Sequence, residues 1–224
     1  MTRHARPDLP PVTATPPLIA PSRRIAAGVT VAVAITVLVA LGLRYHDGRS
    51  AGRFDRAVDG WFTGHVNYRT ALWFADLGNG PVVLVLVVLA VAACLWRRRV
   101  RGALLVALAP AVAAAVTEWL VKPLVHRTKD GWLAYPSGHT SGFGALALAV
   151  LLIVLGQRVF SRAMRVTVAV ISSLLLLACI LGLVASDYHY ATDVIGGLCV
   201  AVVAVLGVAL AVDAAAGRSQ SWFD

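Results

Sequence analysis

The chain has 224 residues, 59 % of them hydrophobic and only 14 % charged; a soluble domain carries about a quarter charged residues, so that class is excluded. The formal net charge of +9 does not point to nucleic acid, because the basic residues cluster in short segments between apolar runs and form no stripe with interleaved aromatics. Cys94, Cys179 and Cys199 all lie inside apolar runs without C-x-x-C spacing, which reads as small buried hydrophobes and not as a disulfide framework or metal site.

Residues 1–22 hold six of the ten prolines and little apolar periodicity, so a disordered arm is expected. No cleavable leader is expected, since the first apolar run begins only near Ile25, lasts to Leu43 and lacks an obvious small-residue cleavage site. Hydrocarbon about 30 Å thick takes roughly 20 helical residues to cross, and this run is the first span. From Arg44 to Gly80 the chain is mixed. Phe54, Val58, Trp61 and Phe62 fall at helical spacing with Asp55, Arg56 and Asp59 between them, the pattern of an amphipathic helix lying in the membrane interface. Spans follow at 82–96, 102–121, 141–156 and 166–185, and a sixth, after the turn "SDYHY", ends near Val212. The expected fold is an all-α membrane protein: a six-transmembrane-helix bundle over residues 23–213, with an interfacial amphipathic helix between spans one and two and a tail at 214–224.

The short loops at 97–101 and 157–165 carry seven Arg between them, whereas the turn at 186–190 carries none. Arg and Lys in short loops mark the cytoplasmic side. Arm and tail are therefore expected in the cytoplasm, with segments 44–80, 122–140 and 186–190 outside. The Ala-, Val- and Arg-rich usage suggests a GC-rich bacterial source and hence a plasma membrane.

Three polar stretches then meet on the outer side: "EWLVKPLVHRTKD", "YPSGH" and "SDYHYATD". Ionisable groups at membrane depth are costly and mark function by default. His189 and Asp193 are four apart and share a face if helical. A carboxylate there sets the imidazole tautomer and stabilises the imidazolium, leaving the other ring nitrogen free to attack; a plain helix-capping pair has the same spacing. Pro136 and Gly138 shape a turn, and Ser137 is a good N-cap. The free N–H groups of the following first turn, with the helix dipole behind them, favour an anion. His139 would stand beside a bound phosphate, placed to protonate a leaving oxygen, although a spectator His at a capped helix start reads the same way. Lys122, Arg127 and Lys129 supply positive charge, and they include both of the chain's lysines; a snorkelling interfacial cluster is the alternative. Glu118 lies one turn before Lys122 and can pair with it.

In order and spacing these stretches resemble the type 2 phosphatidic acid phosphatase (PAP2) superfamily of membrane lipid phosphatases. The family pattern runs Lys, six residues, Arg-Pro; then Pro-Ser-Gly-His; then Ser-Arg, five residues, His, three residues, Asp. Pro136-Ser137-Gly138-His139 is intact, as are His189 and Asp193, followed by "VIGG". The six-span layout agrees, so the resemblance covers most of residues 25–212. Two positions depart from the pattern. Lys129-Asp130 stands where the family has Arg-Pro, with Arg127 the other candidate for that role. The family's Ser-Arg falls on Gly182 and Leu183, which removes a phosphate-binding Arg. Asp187 has no assigned role.

The resemblance implies a two-step displacement without metal or other cofactor. His189, oriented by Asp193, attacks phosphorus to give a phosphohistidine, while His139 protonates the departing lipid oxygen and then activates water. Lys122, Lys129 or Arg127, Ser137 and the Gly138 amide hold the phosphoryl oxygens. The implied substrate is a membrane lipid phosphate or diphosphate at the outer face: a polyprenyl diphosphate, phosphatidic acid or phosphatidylglycerophosphate. An alcohol in place of water would make the chain a lipid phosphotransferase. The missing Arg also suits a non-catalytic lipid-phosphate binder or translocation module.

Overall fold

The computed structural model describes residues 16–62, 65–156 and 160–220. Residues 1–15 of the expected arm, 157–159 of the second basic loop and 221–224 of the tail lie outside the described residues.

A backbone in hydrocarbon can satisfy its polar groups only internally, and helices do this segment by segment. In chain order the helices are α1 (Arg24–Arg44), α2 (Arg53–Phe62), α3 (Tyr68–Ala75), α4 (Gly80–Trp96) and α5 (Val100–Ala115). A π-helical stretch, Val116–Val121, carries α5 into α6 (Lys122–Val125). A short ribbon of β1 (Thr128–Lys129) and β2 (Trp132–Leu133) precedes α7 (Gly138–Gly156), α8 (Arg162–Ala185) and α9 (Ala191–Gln220). Among the described residues five helices are long and apolar enough to cross a membrane, and α3 with α4 supplies a sixth as a pair bent by 48°. The bend has a local cause. Asn79 is extended, with ψ 136°, and Pro81 lies in the first turn of α4, where its missing N–H is one of the groups left over anyway. The expected span 82–96 forms as α4; α3, whose Tyr68, Arg69 and Thr70 interrupt the apolar run, adjoins it across the bend and was not marked in the sequence.

The bundle is built around α7. Ala145 and Ala149 pack among Leu105, Val106, Ala109 and Ala113 of α5 and Val200, Ala201 and Ala204 of α9. Lipid is as apolar as these side chains, so close packing of small residues holds the helices together. α1 lies against α9, and α3 against α8. Gly196 and Gly197 admit the chain leading into α7: a Cβ on Gly197 would lie 2.7 Å from the Ser137 carbonyl oxygen, and one on Gly196 2.5 Å from the Tyr135 ring. This contact fixes the start of α7 against the start of α9.

The expected polar loop at 122–140 contains a hairpin that the sequence reading did not include. Its two-residue turn is Asp130 (φ 50°) and Gly131 (φ 84°), both left-handed, as a type I′ turn requires; Asp-Gly is a strong signal for one. Proline, fixed near φ −65°, does not fit at Asp130, which accounts for one departure from the Arg-Pro pattern.

Two other expectations change. The end of the expected arm is anchored: Leu18 and Ile19 are buried, and their N–H groups donate to the two carboxylate oxygens of Asp213, each at 2.9 Å. An apolar pair within the Pro-rich segment and a carboxylate near the end of α9 satisfy one another. The amphipathic helix forms as α2, but Asp55, expected on its polar side, is fully buried, while Phe54 and Trp61 are exposed. Its carboxylate points inward because a buried guanidinium awaits it.

Candidate active site

His139 sits in the first turn of α7 and His189 in the turn between α8 and α9. Their ring centroids are 6.1 Å apart at 65°, and Tyr188 stands edge-on to both, at 5.1 Å from His139 and 5.4 Å from His189. Two imidazoles, one on α7 and one in the α8–α9 turn, thus line one cavity. The turn carrying His189 is pinned by the Leu183 carbonyl, which accepts the N–H groups of Tyr188 (3.0 Å) and His189 (3.2 Å).

Asp193 is fully buried, but it is not hydrogen-bonded to His189. Nδ1 of His189 lies 3.7 Å from Asp193 Oδ2 and has no hydrogen-bond partner. The reason is local. His189 precedes α9, so the pair does not share a helical face, and Oδ2 accepts the Tyr190 N–H at 3.1 Å as the third-residue acceptor of a capping box. Catalytic hydrogen bonds of this kind are commonly long in an unliganded site and tighten around substrate.

Arg127 is a correction. It is fully buried and does not line the cavity. Its Nη1 donates to Asp193 Oδ1 and Thr192 Oγ1, both at 2.6 Å, and its Nη2 to Asp55 Oδ2 at 2.8 Å. Its Nε–H has no hydrogen-bond partner among the described residues, but the group lies off the cavity and both terminal nitrogens are engaged by carboxylates, so it is not placed to hold a phosphate there. Asp55 also accepts the N–H groups of Thr192 (2.9 Å) and Gly52 (3.0 Å). Burial works against the Asp55 carboxylate, but Arg127 and these donors outweigh it and hold its pKa below the ordinary value. Sequence reasoning missed Asp55, for nothing in its spacing distinguishes it from Arg56 or Asp59.

Lys122 and Lys129 do line the cavity, and each faces a carboxylate: Lys122 donates to Glu118 and Lys129 to Asp187, at 2.7 and 2.6 Å. Burial lowers the Lys129 pKa, but the Asp187 bond more than compensates, so its net shift is upward and it remains a cation. Asp187 thereby acquires a place, as the partner of Lys129. Ser137 caps α7 as expected, its Oγ accepting the Thr140 N–H at 3.3 Å. It is fully buried and off the cavity, however, so its side chain is structural. Gly138 lines the cavity, and a side chain there would meet Glu118 Oε1 at 2.8 Å. Gly182 and Leu183, at the family's Ser-Arg positions, face away into packing. A Cβ on Gly182 would lie 2.6 Å from the backbone of Ala71 and Ala75 in α3, and Leu183 is buried in a cluster with Ala75, Phe143 and Cys179.

The cavity, about 1040 Å³, runs from this polar end into an apolar groove lined by Val83, Leu84 and Val87 of α4 and Ala107, Ala111 and Ala114 of α5. Among the described residues no three His, Cys, Asp or Glu side chains converge as a metal ion would require. A family model described as the PAP2 superfamily matches residues 81–216. No curated protein and no solved structure matches the chain.

Proposed function

The chain belongs to the PAP2 superfamily, whose members generally act as phosphatases, and from that premise we propose that it hydrolyses a membrane lipid phosphate or diphosphate through a phosphohistidine. The observation that carries this reading is the shape of one cavity: two imidazoles and two lysines at its polar end, and a groove between α4 and α5 at its apolar end. A phosphate at the histidines leaves its acyl or prenyl chain in the groove, so one molecule fills both halves.

In the first step Nε2 of His189 forms a bond to phosphorus as the bond from phosphorus to the lipid oxygen breaks. His139 gives that oxygen its proton. The developing imidazolium faces Asp193, and Lys122, Lys129 and the start of α7 at Gly138 stabilise the phosphoryl oxygens as charge builds. In the second step His139, now neutral, takes a proton from water as the water oxygen attacks phosphorus. The N–P bond breaks, phosphate leaves and both imidazoles return to their starting states. The Arg concentration in the loops at 97–101 and 157–165 supports placing this chemistry at the outer face.

The test is phosphate release by the full chain in detergent with EDTA present, from dioctanoyl phosphatidic acid and from farnesyl diphosphate. Wild-type protein is expected to turn over at least one of them. His139→Ala and His189→Ala should each lower the rate by about a hundredfold or more, the usual contribution of a general acid or nucleophile. Turnover in both variants near the wild-type rate would overturn the assignment. Release of free lipid without free phosphate when glycerol is added would instead identify a phosphotransferase.

A further inference from the structure

We infer that Asp55 and Arg127 are positioning residues for His189, which makes α2 a working part of the site; the inference rests on the hydrolase reading above. Neither residue touches the cavity, and Asp55 lies outside the residues that carry the family likeness.

The guanidinium of Arg127 is held between the rings of Tyr45 and Tyr190, 4.0 and 4.3 Å from their centroids. Cation–π contact with both faces fixes the plane in which its N–H groups point. Nη1 serves Asp193 and Nη2 serves Asp55. A guanidinium facing one carboxylate tends to take both of its oxygens in a parallel fork. Here it cannot, because Asp55 holds the second nitrogen and is itself fastened by Gly52 and Thr192. Asp193 therefore gives Arg127 only Oδ1. Oδ2 remains on the side of His189, whose buried Nδ1 has no other partner.

Charge leads to the same conclusion. Arg127 alone would neutralise Asp193 and blunt its attraction for an imidazolium. Asp55 restores the balance, so that Asp55, Arg127 and Asp193 together carry one negative charge towards the ring. The other titratable groups around His189 are His139 of α7, Tyr188, the Lys129–Asp187 and Lys122–Glu118 pairs, Asp59 of α2, and Asp76 beside His139. Tyr190 stands beside His189, against Arg127. Of these groups Asp59 also feels the Asp55 charge, and the Asp55→Glu variant, which keeps that charge, controls for it.

The experiment compares wild-type full chain with Asp55→Asn, which keeps shape and removes charge, and Asp55→Glu, which keeps charge. Phosphate release from dioctanoyl phosphatidic acid is followed from pH 5 to 9. Asp55→Asn should lower the plateau at least tenfold and move the acid limb to lower pH, because losing a nearby negative charge disfavours the protonated ring. Asp55→Glu should leave the limb where wild type has it. A purely structural role would scale the whole profile down without moving the limb. A second readout does not depend on turnover: carbethoxylation of His189 by diethyl pyrocarbonate at pH 6, measured by mass spectrometry relative to His126. Only neutral imidazole reacts, so the His189 to His126 ratio should be higher in Asp55→Asn than in wild type. If wild type releases no phosphate, the hydrolase reading fails, and the labelling ratio still decides the positioning one. Should Asp55→Asn not yield monodisperse protein, Asp55→Ser is read in the same way. An unmoved limb with an unchanged labelling ratio overturns the inference, as does a shift in Asp55→Glu equal to that in Asp55→Asn.

Discussion

At the scale of single residues, the site separates its cations by task. Arg127 is enclosed by carboxylates and aromatic faces, whereas Lys122 and Lys129 reach the cavity. A hydrogen bond to a charged group contributes about 1.5–3 kcal/mol, so Lys129→Ala is expected to raise KM roughly ten- to hundredfold in the phosphate-release assay. Arg127→Ala has a different signature. It leaves two buried carboxylates without their cation, a loss of about 3–5 kcal/mol, read as a large drop in thermal midpoint in detergent. Asp55 adds a pH dependence. Its folded pKa lies below the ordinary 3.8, so its contribution to stability is present above about pH 4 and lost as pH falls through the depressed value. The gap in thermal midpoint between wild type and Asp55→Asn should therefore be constant from pH 7 to 5 and close on further acidification. A gap that widened in acid would contradict this assignment of charge.

At the scale of elements, two helix contacts set the geometry. Gly197 lets α9 reach the Ser137 carbonyl, and Gly182 lets α8 reach the backbone of α3. Overpacking a close contact costs about 1–3 kcal/mol. Gly197→Val should therefore separate His139 from His189 and reduce phosphate release more than it reduces thermal stability. Gly182→Val, on the far side of the Leu183 anchor, should do the reverse. Most of these elements were legible in the sequence: the long spans were marked by apolar runs, the start of α7 by Ser137 and that of α9 by the turn "SDYHY". What was hidden had physical reasons. α3 is half polar, so no apolar run announces it, and its joining to α4 depends on Asn79 and Pro81. The hairpin was signalled by Asp130-Gly131 but is too short to show strand alternation. The partnership of Arg127 with Asp55 spans 72 residues and cannot be inferred from local spacing, which is why Arg127 looked available for phosphate.

At the scale of the whole molecule, the proposed orientation puts the hairpin outside and the 97–101 loop inside. In a chain whose three cysteines are replaced by Ala, Asp130→Cys should be labelled in intact cells by a membrane-impermeant maleimide, and Arg98→Cys only after permeabilisation. The opposite pattern would invert the topology and place the chemistry at the inner leaflet. The α4–α5 groove bears on the substrate at the same scale. Leu84→Trp, which narrows the groove far from the histidines, should raise KM for a long-chain lipid phosphate while leaving that for a water-soluble aryl phosphate near wild type.

The grip of Asp213 on the amides of Leu18 and Ile19 has a practical sequel. α9 is one rod of 30 residues, about 45 Å at 1.5 Å per residue, with the His189 turn at its head and this clasp near its foot. Trimming the N-terminus to residue 21, as a Pro-rich segment would invite, unfastens that foot and takes both amide donors from Asp213, whose remaining ion pair among the described residues is with Arg101 at 3.5 Å. Crystallographers and assay builders should therefore cut ahead of residue 16, or lose rigidity at the opposite end of the rod.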